Sequence, residues 1–118
     1  MSFVERRKAK RVDARLAVLI SGAGEEADGT TVNISSNGVC FESPRLIEPL
    51  TKVRMEMAVP AAGGDPDRRI TFDGVVVRSE PEAADPSVDR YRIAVFFTYL
   101  ESESQKILDA YIESILLS

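Results

Sequence analysis

The chain of 118 residues contains no histidine and no tryptophan, and it has a single cysteine, Cys40. Without histidine, the Ser–His and Cys–His pairs of nucleophilic catalysis cannot form, and the commonest general base is absent. Transition-metal sites also lose their commonest ligand, which one cysteine cannot replace. The acidic residues are scattered and form no recognisable metal-binding loop. The sequence therefore predicts no catalytic residues and no metal ligands, and we expect that the protein is not an enzyme.

Two further absences concern location. No apolar run approaches the roughly 18 residues that identify a membrane-spanning helix, and the segment from Met1 to Arg7 contains no apolar stretch typical of a signal peptide. A single cysteine excludes an internal disulfide bond and fits a reducing compartment. We therefore expect a cytoplasmic protein without membrane insertion. Cys40 lies in the apolar run Val39–Phe41, which predicts a buried thiol.

The charge is divided unevenly along the chain. Residues 1–11 contain five basic residues and one acidic residue, a local charge of +4, which leaves −8 on the rest of a chain whose total is −4. A basic arm on an acidic body favours a local anionic partner, and it makes nucleic acid unlikely as a partner, because nucleic acid usually needs a basic face across much of a domain. We therefore divide the chain into a flexible basic N-terminal arm, residues 1–11, and a single globular domain, residues 12–118.

Six short runs of apolar or β-branched residues, separated by turn signals, predict six strands. In Lys52–Val59, apolar residues occupy every second position from Val53 onward, which is the period of a half-buried strand. A glycine inside another run, Gly74, indicates a bulge or a sharp bend. The other five predicted strands are Leu16–Ile20, Gly29–Ile34, Val39–Glu42, Ile70–Ser79 and Tyr91–Phe97.

The C-terminal segment changes to a helical period. Apolar residues recur in pairs every four residues from Ile107 to Leu116, which gives one apolar face to a helix at about residues 102–117. Ser102 and Gln105 have the spacing of a capping box. Six strands followed by one helix predict an all-β (mainly β) domain, either an antiparallel barrel or a sandwich, capped by the helix. The helix is expected to pack on the strands, and a partner-facing role for its other side stays open.

A polar stretch from Asn33 to Gly38 separates two β-type runs and predicts a tight reversal of the chain. Asn37-Gly38 is the strongest turn pair in the sequence, because both residues tolerate a positive φ. Asn33 and Ser35 precede it, one residue apart, so strand geometry places both side chains on one face. These two side chains form either the polar floor of a ligand site or ordinary turn contacts.

Arg7 and Arg11 lie in the basic arm, separated by three residues. Their guanidinium groups are planar, always charged and suited to phosphates and to the O6/N7 edge of guanine. The amide oxygen of Asn33 can accept hydrogen bonds from guanine N1–H and N2–H, and Ser35 can bond a phosphate or a base. Gly38 lets a backbone approach closely. The arm and the turn together can therefore clamp a guanine nucleotide.

Arg7-x-x-x-Arg11 followed by Asn33-x-Ser35-x-x-Gly38 resembles the paired signature of PilZ domains, which are bacterial receptors for cyclic di-GMP. The resemblance covers nearly the whole chain and implies a six-stranded antiparallel β-barrel with a C-terminal α-helix. It also implies that Arg7 and Arg11 take the guanine faces and phosphates. Asn33 and Ser35 would then take a guanine edge, and Gly38 would hold the turn. Cyclic di-GMP is the implied ligand, and no further cofactor is implied.

Arg6 directly precedes the motif. In PilZ proteins a basic residue there tends to accompany binding of an intercalated ligand dimer, since a second dianionic molecule needs more positive charge. The number of ligand molecules bound, one or two, therefore stays open, and Arg6 is an additional ligand-binding residue in either case. Lys8, Lys10 and Arg78 are peripheral candidates.

The function that the resemblance implies is a non-enzymatic cyclic di-GMP receptor in signal transduction. Such an effector binds the second messenger with the arginine arm and the barrel turn, and relays the signal to a downstream protein in trans. The alternative is a PilZ-like protein-interaction module of pilus or flagellar assembly that acts without a nucleotide.

Overall fold

The computed structural model describes residues 10–22, 24, 26–61 and 65–118. These residues form seven strands and one helix. The elements are β1 (Val12–Asp13), β2 (Ala17–Ser21), β3 (Ala27–Ser35), β4 (Gly38–Ser43), β5 (Lys52–Val59), β6 (Arg68–Glu80), β7 (Tyr91–Leu100) and α1 (Ser102–Leu117). The six predicted strands and the predicted helix are all present, and β3, β4, β6 and β7 are two or three residues longer than the sequence pattern indicated.

The six longer strands close into a barrel. Hydrogen-bonded neighbours follow the order β1-β3-β2-β5-β6-β7-β4, and β4 also pairs with β3. Every pairing is antiparallel. Since the last strand of the order returns to β3, strands β2 to β7 form a continuous ring. The predicted six-stranded antiparallel barrel is confirmed, and β1 is one short strand added to it.

The additional strand β1 attaches the end of the basic arm to the barrel. It pairs with the last part of β3, where Asp13 lies opposite Asn33. Directly after β1, the buried hydroxyl of Thr31 donates a hydrogen bond to the carbonyl of Ala14 and accepts one from the N–H of Leu16 at 2.7 Å. Two paired residues are too few for a periodicity signal, which is why the sequence did not predict this strand.

The interior of the barrel is filled by the apolar residues of the alternating pattern. Met55 and Met57 of β5 are completely buried, and the rings of Phe72 and Phe97 meet edge to face with centroids 4.5 Å apart. Full burial of a side chain of this size stabilises a fold by about 1.5–3 kcal/mol. The apolar positions therefore face inward, and the alternate positions of β3, β4, β6 and β7 are left to form an outer surface.

Helix α1 packs against β6, β5 and β1. Leu108 and Ile112 are buried on its inner side, as the predicted apolar face requires. At its end, Leu116 and Leu117 are exposed. Within the described chain, no helix is both long and apolar enough to cross a membrane.

The predicted capping box at the start of α1 is wrong. The N-cap residue is Glu101, whose side chain makes no capping hydrogen bond, and Ser102 is already the first helical residue. The amide of Gln105 instead donates to the carboxylate of Asp109 one turn later, at 3.2 Å. The Ser-x-x-Gln spacing is compatible with a cap only when the serine lies one residue outside the helix, and here it lies inside.

Candidate functional site

A β-bulge in β3 turns Asn33 toward the outside of the barrel. Thr31 lies opposite Phe41, but Asn33 lies opposite Cys40, so that Val32 is an additional residue in the ladder. Strict alternation from the buried Thr31 would direct Asn33 into the core. The bulge shifts the alternation by one residue, and Asn33 becomes a half-buried surface residue.

A second bulge, in β6, does the same for Arg78. Val76 lies opposite Val95, whereas Arg78 lies opposite Ala94, so that Val77 is the additional residue. Val76 is completely buried, and Val77 is 54% exposed. Without the bulge, the alternation would place Arg78 in the apolar interior, where its charge would be costly. A further shift of register between Asp73 and Gly74 leaves Thr98 of β7 as the additional residue, so the irregularity expected at Gly74 is a bulge in the partner strand.

The two bulges align four residues in one row across the outside of the barrel. Asn33 is opposite Cys40, Cys40 is opposite Ala94, and Ala94 is opposite Arg78. The two central side chains are small, so the row forms the floor of a surface cavity of about 250 Å³. The cavity is lined by Arg11, Asn33, Cys40, Arg78, Glu80, Arg92 and Ala94.

Arg11 brings the end of the basic arm to this cavity. Its Nη1 donates a hydrogen bond to Oδ1 of Asn33 at 2.6 Å, across 22 residues of sequence. A guanidinium donor gives a stronger hydrogen bond than a neutral one. The structure therefore joins one residue of the arm motif to one residue of the turn motif at the edge of the cavity.

Arg92 is fixed at the opposite side of the cavity by a carboxylate. Its Nη2 lies 3.5 Å from Oε2 of Glu42, and Glu42 also lies 3.7 Å from Nη1 of Arg15. These are partly exposed ion pairs, worth at most about 1 kcal/mol each. Their main effect is to orient Arg92, which lies between Glu42 on β4 and Glu80 on β6 in the strand register.

The charges around the cavity affect the pKa of the Cys40 thiol. Burial raises the pKa of the Cys40 thiol above its usual value, while Arg92, Arg11 and Arg78 act in the opposite direction and Glu80 adds to the rise. The thiol is half-buried rather than buried as predicted, because its strand position faces the cavity and not the core. It is therefore a largely protonated group on the cavity floor.

Ser35 lies at the end of β3 and is almost completely buried. Its hydroxyl donates to Oδ1 of Asn37 at 2.8 Å and lies 3.3 Å from the N–H of Asn37 as an acceptor. Both contacts belong to the turn, and Ser35 does not line the cavity. Of the two functions considered for Ser35, these contacts therefore favour organisation of the turn over direct binding of a ligand.

The turn itself differs from the predicted Asn37-Gly38 pair. Its two central residues are Ser36 and Asn37, and Gly38 is the first residue of β4. Neither Asn37 nor Gly38 has a positive φ. A Cβ atom on Gly38 would lie 2.7 Å from the carbonyl oxygen of Val95 on β7. The glycine is needed for the close approach of two backbones and not for a left-handed conformation.

The cavity brings together some of the predicted site residues but not all of them. Arg11 and Asn33 are bonded at the cavity, and Gly38 lies beside them, with its Cβ position 3.7 Å from Nη2 of Arg11. Arg6 and Arg7 lie outside the described residues. Sequence reasoning gave Arg78 only a peripheral place and missed Glu80, Arg92 and Ala94. Register and bulges bring these residues together, and no local motif marks them.

Two other cavities are larger but less suited to an anion. One, of about 330 Å³ beside α1, contains Arg68 balanced by Asp65. In the other, of about 490 Å³, Arg54 is bonded to Asp73 at 3.0 Å, which leaves only Lys52 unbalanced. The cavity at Arg11 has three arginines and one glutamate among its lining residues. In the described ranges, no cluster of three metal-ligating side chains occurs.

The closed barrel, its C-terminal helix and the arginine-lined cavity define a small β-barrel domain with a cationic surface site. The chain belongs to the PilZ domain family, whose sequence pattern matches residues 5–114. That match covers both motif halves and most of α1. No curated protein sequence matches the chain.

Two solved structures share the fold. The Bacillus subtilis inhibitor of motility, MotI/DgrA, has a TM-score of 0.76 and 23% sequence identity, over 96% of this chain and 53% of that one. The Borreliella burgdorferi PlzA protein, in complex with c-di-GMP, has a TM-score of 0.52 and 9% identity, over 93% of this chain and 54% of that one. At these identities the likeness concerns the fold alone, and the chain spans about half the length of either protein.

Proposed function

We propose that the protein is a receptor for cyclic di-GMP. The observation that carries the proposal is the hydrogen bond between Arg11 and Asn33, which joins the two halves of the PilZ signature at a cavity containing two more arginines. Membership of the PilZ family, a cyclic di-GMP-binding family, supports the proposal. The likeness to PlzA, which was solved with c-di-GMP, is consistent with it.

The charge of the cavity suits such a ligand. Cyclic di-GMP carries two phosphodiester groups and therefore a charge of −2, and the three arginines and one glutamate give the cavity +2. Arg92 is already paired with Glu42, whereas Arg11 and Arg78 have no carboxylate partner among the described residues. These two guanidinium groups are therefore available for charge-assisted hydrogen bonds to phosphate or to the O6/N7 edge of guanine.

Each motif residue then has a defined task. Arg11 binds the ligand and is oriented by Asn33, which keeps one oxygen lone pair and its NH₂ group for a guanine edge. Gly38 allows the close approach of β4 to β7, and Ser35 stabilises the turn between β3 and β4. Arg7, and Arg6 before it, would add guanidinium groups from the arm. Arg6 provides the charge that a second, intercalated ligand molecule would require.

The receptor acts without catalysis and signals through another protein in trans. Ligand bound at the cavity would join the arm residues to β3, β4, β6 and β7, and so change the surface that a partner meets. Ordering a residue costs about 1–2 kcal/mol, which charge-assisted hydrogen bonds of about 1.5–3 kcal/mol each can offset. The alternative, an interaction module that needs no nucleotide, predicts partner binding that is insensitive to cyclic di-GMP.

Calorimetry tests the proposed function directly. We expect saturable binding of cyclic di-GMP at micromolar or lower concentration, with one or two molecules per chain distinguishing single from dimeric ligand. Amide chemical shifts of β3, β4 and β7 residues around the cavity should move during the same titration. The absence of both heat and shift changes at micromolar protein would refute the proposal.

Cys40 offers an internal probe of the site, because it is the only cysteine and lies on the cavity floor. We expect saturating cyclic di-GMP to slow the reaction of this thiol with an alkylating reagent at pH 8 by about tenfold or more. The ligand covers the thiol, and its phosphates further oppose the reactive thiolate. Since the pKa of Cys40 is raised, the rate without ligand should still be increasing at pH 9. Unchanged labelling at saturation would place the ligand elsewhere.

A further inference from the structure

Among the residues that the structure describes, Glu80 is the only carboxylate that lines the arginine-rich cavity. It lies at the end of β6, opposite Arg92 in the strand register. Despite that position its carboxylate makes no ion pair or hydrogen bond with the described residues, because Arg92 is directed to Glu42 on the other side. An exposed anion thus remains unpaired in a cavity with three guanidinium groups.

We propose that Glu80 reads the Watson–Crick edge of a guanine base and so makes the receptor specific for guanine over other purines. The inference rests on the proposed function and concerns the same cavity. A carboxylate there lowers the affinity for any dianionic ligand by repulsion, unless part of the ligand presents hydrogen-bond donors to it. Guanine does so through N1–H and N2–H, which lie side by side and match the two oxygens of a carboxylate.

Other groups in the cavity are less able to perform this task. The arginines are donors only, so they can bond O6 and N7 or a phosphate but not the N1–H and N2–H groups. Oδ1 of Asn33 already accepts a hydrogen bond from Arg11 at 2.6 Å. Glu80 is therefore the one lining side chain whose two acceptor oxygens are both uncommitted among the described residues. Adenine, which has an acceptor at N1, would face these oxygens with its own lone pair.

The test uses three cyclic dinucleotides that share one backbone and differ only in the base edge. Cyclic di-GMP presents two donors to Glu80, cyclic di-IMP lacks the 2-amino group and presents one, and cyclic di-AMP presents none at N1. We expect the wild-type protein to bind cyclic di-IMP about tenfold more weakly than cyclic di-GMP, and cyclic di-AMP at least about a hundredfold more weakly than cyclic di-GMP. Calorimetry or ligand competition measures all three constants.

The decisive variant is Glu80→Gln, which keeps the shape but replaces one of the two acceptor oxygens by an NH₂ group that faces one of the guanine donors. We expect it to weaken cyclic di-GMP binding and to compress both affinity ratios by about five- to tenfold. The control is Glu82→Gln, which removes the same charge two residues from Glu80. The Glu82 side chain is exposed and does not line the cavity. Its ratios should stay within about twofold of the wild type.

The outcomes separate this inference from the function on which it rests. If Glu80→Gln tightens all three ligands by the same factor, Glu80 only repels phosphate and the inference is overturned, although the receptor function stands. If the wild-type protein binds the three ligands with equal affinity, the inference is likewise overturned and the receptor function stands. If the wild-type protein binds none of them, the proposed function fails, and the inference fails with it.

Discussion

Replacing Arg11 by alanine should reduce the affinity for cyclic di-GMP by at least about a hundredfold, or about 2.7 kcal/mol. Arg11 is the described arm residue at the cavity, and a guanidinium group that makes two charge-assisted hydrogen bonds contributes about 1.5–3 kcal/mol through each. The loss should appear in the dissociation constant measured by calorimetry. Stability should change little, because the bond from Arg11 to Asn33 lies at an exposed position.

Two variants give this experiment its controls. Arg11→Lys keeps the charge but not the planar fork, so we expect an intermediate loss of about tenfold. Arg69→Ala removes another exposed guanidinium group, bonded to Glu56 at 2.8 Å and absent from the cavity lining, and should bind like the wild type. An Arg11→Ala protein that binds cyclic di-GMP within twofold of the wild type would show that the arm does not contribute through this residue.

The barrel and its helix could be predicted because their signals are local. The run Lys52–Val59 alternates along its whole length, and its bounds agree with β5. The pairs of apolar residues after Ile107 define the inner face of α1 in the same way. Gly74 also indicated an irregularity, since a residue without a side chain is a visible interruption in an apolar strand, but the bulge itself lies opposite it, at Thr98 of β7.

The composition of the site could be predicted only in part. Asn33 and Arg11 were found because they belong to motifs. Arg78 is brought to the cavity by the bulge at Val77, and nothing in Val75-Val76-Val77 shows which valine is the additional residue. All three valines favour strand structure equally, so the choice depends on pairing with β7, far away in sequence.

The same limit explains Glu80 and Arg92, whose proximity is a matter of register between β6 and β7. A sequence shows which residues alternate along one strand, but not which residue of a distant strand lies opposite. The turn illustrates the reverse case. The reversal within Asn33–Gly38 was correctly located, yet the reason for the glycine is the carbonyl of Val95, which belongs to another strand.

Replacing Gly38 by alanine should therefore lower the free energy of unfolding by about 1–3 kcal/mol. The new Cβ atom would lie 2.7 Å from the carbonyl oxygen of Val95. Because the obstacle is backbone and not a flexible side chain, β4 and β7 must separate at their first pair, Gly38 and Phe96. Urea denaturation measures the change in stability.

The same substitution should also weaken cyclic di-GMP binding by about tenfold or more. The affinity is measured without urea, at a temperature at which the variant is fully folded. The Cβ position is 3.7 Å from Nη2 of Arg11, so movement of β4 displaces the arginine and the adjacent floor at Cys40 together. Ser36→Ala, in the exposed part of the same turn, is the control and should change stability by less than about 0.5 kcal/mol. A Gly38→Ala protein with wild-type stability and affinity would mean that the two strands can separate at this point without cost, and that the glycine of the motif has no steric role.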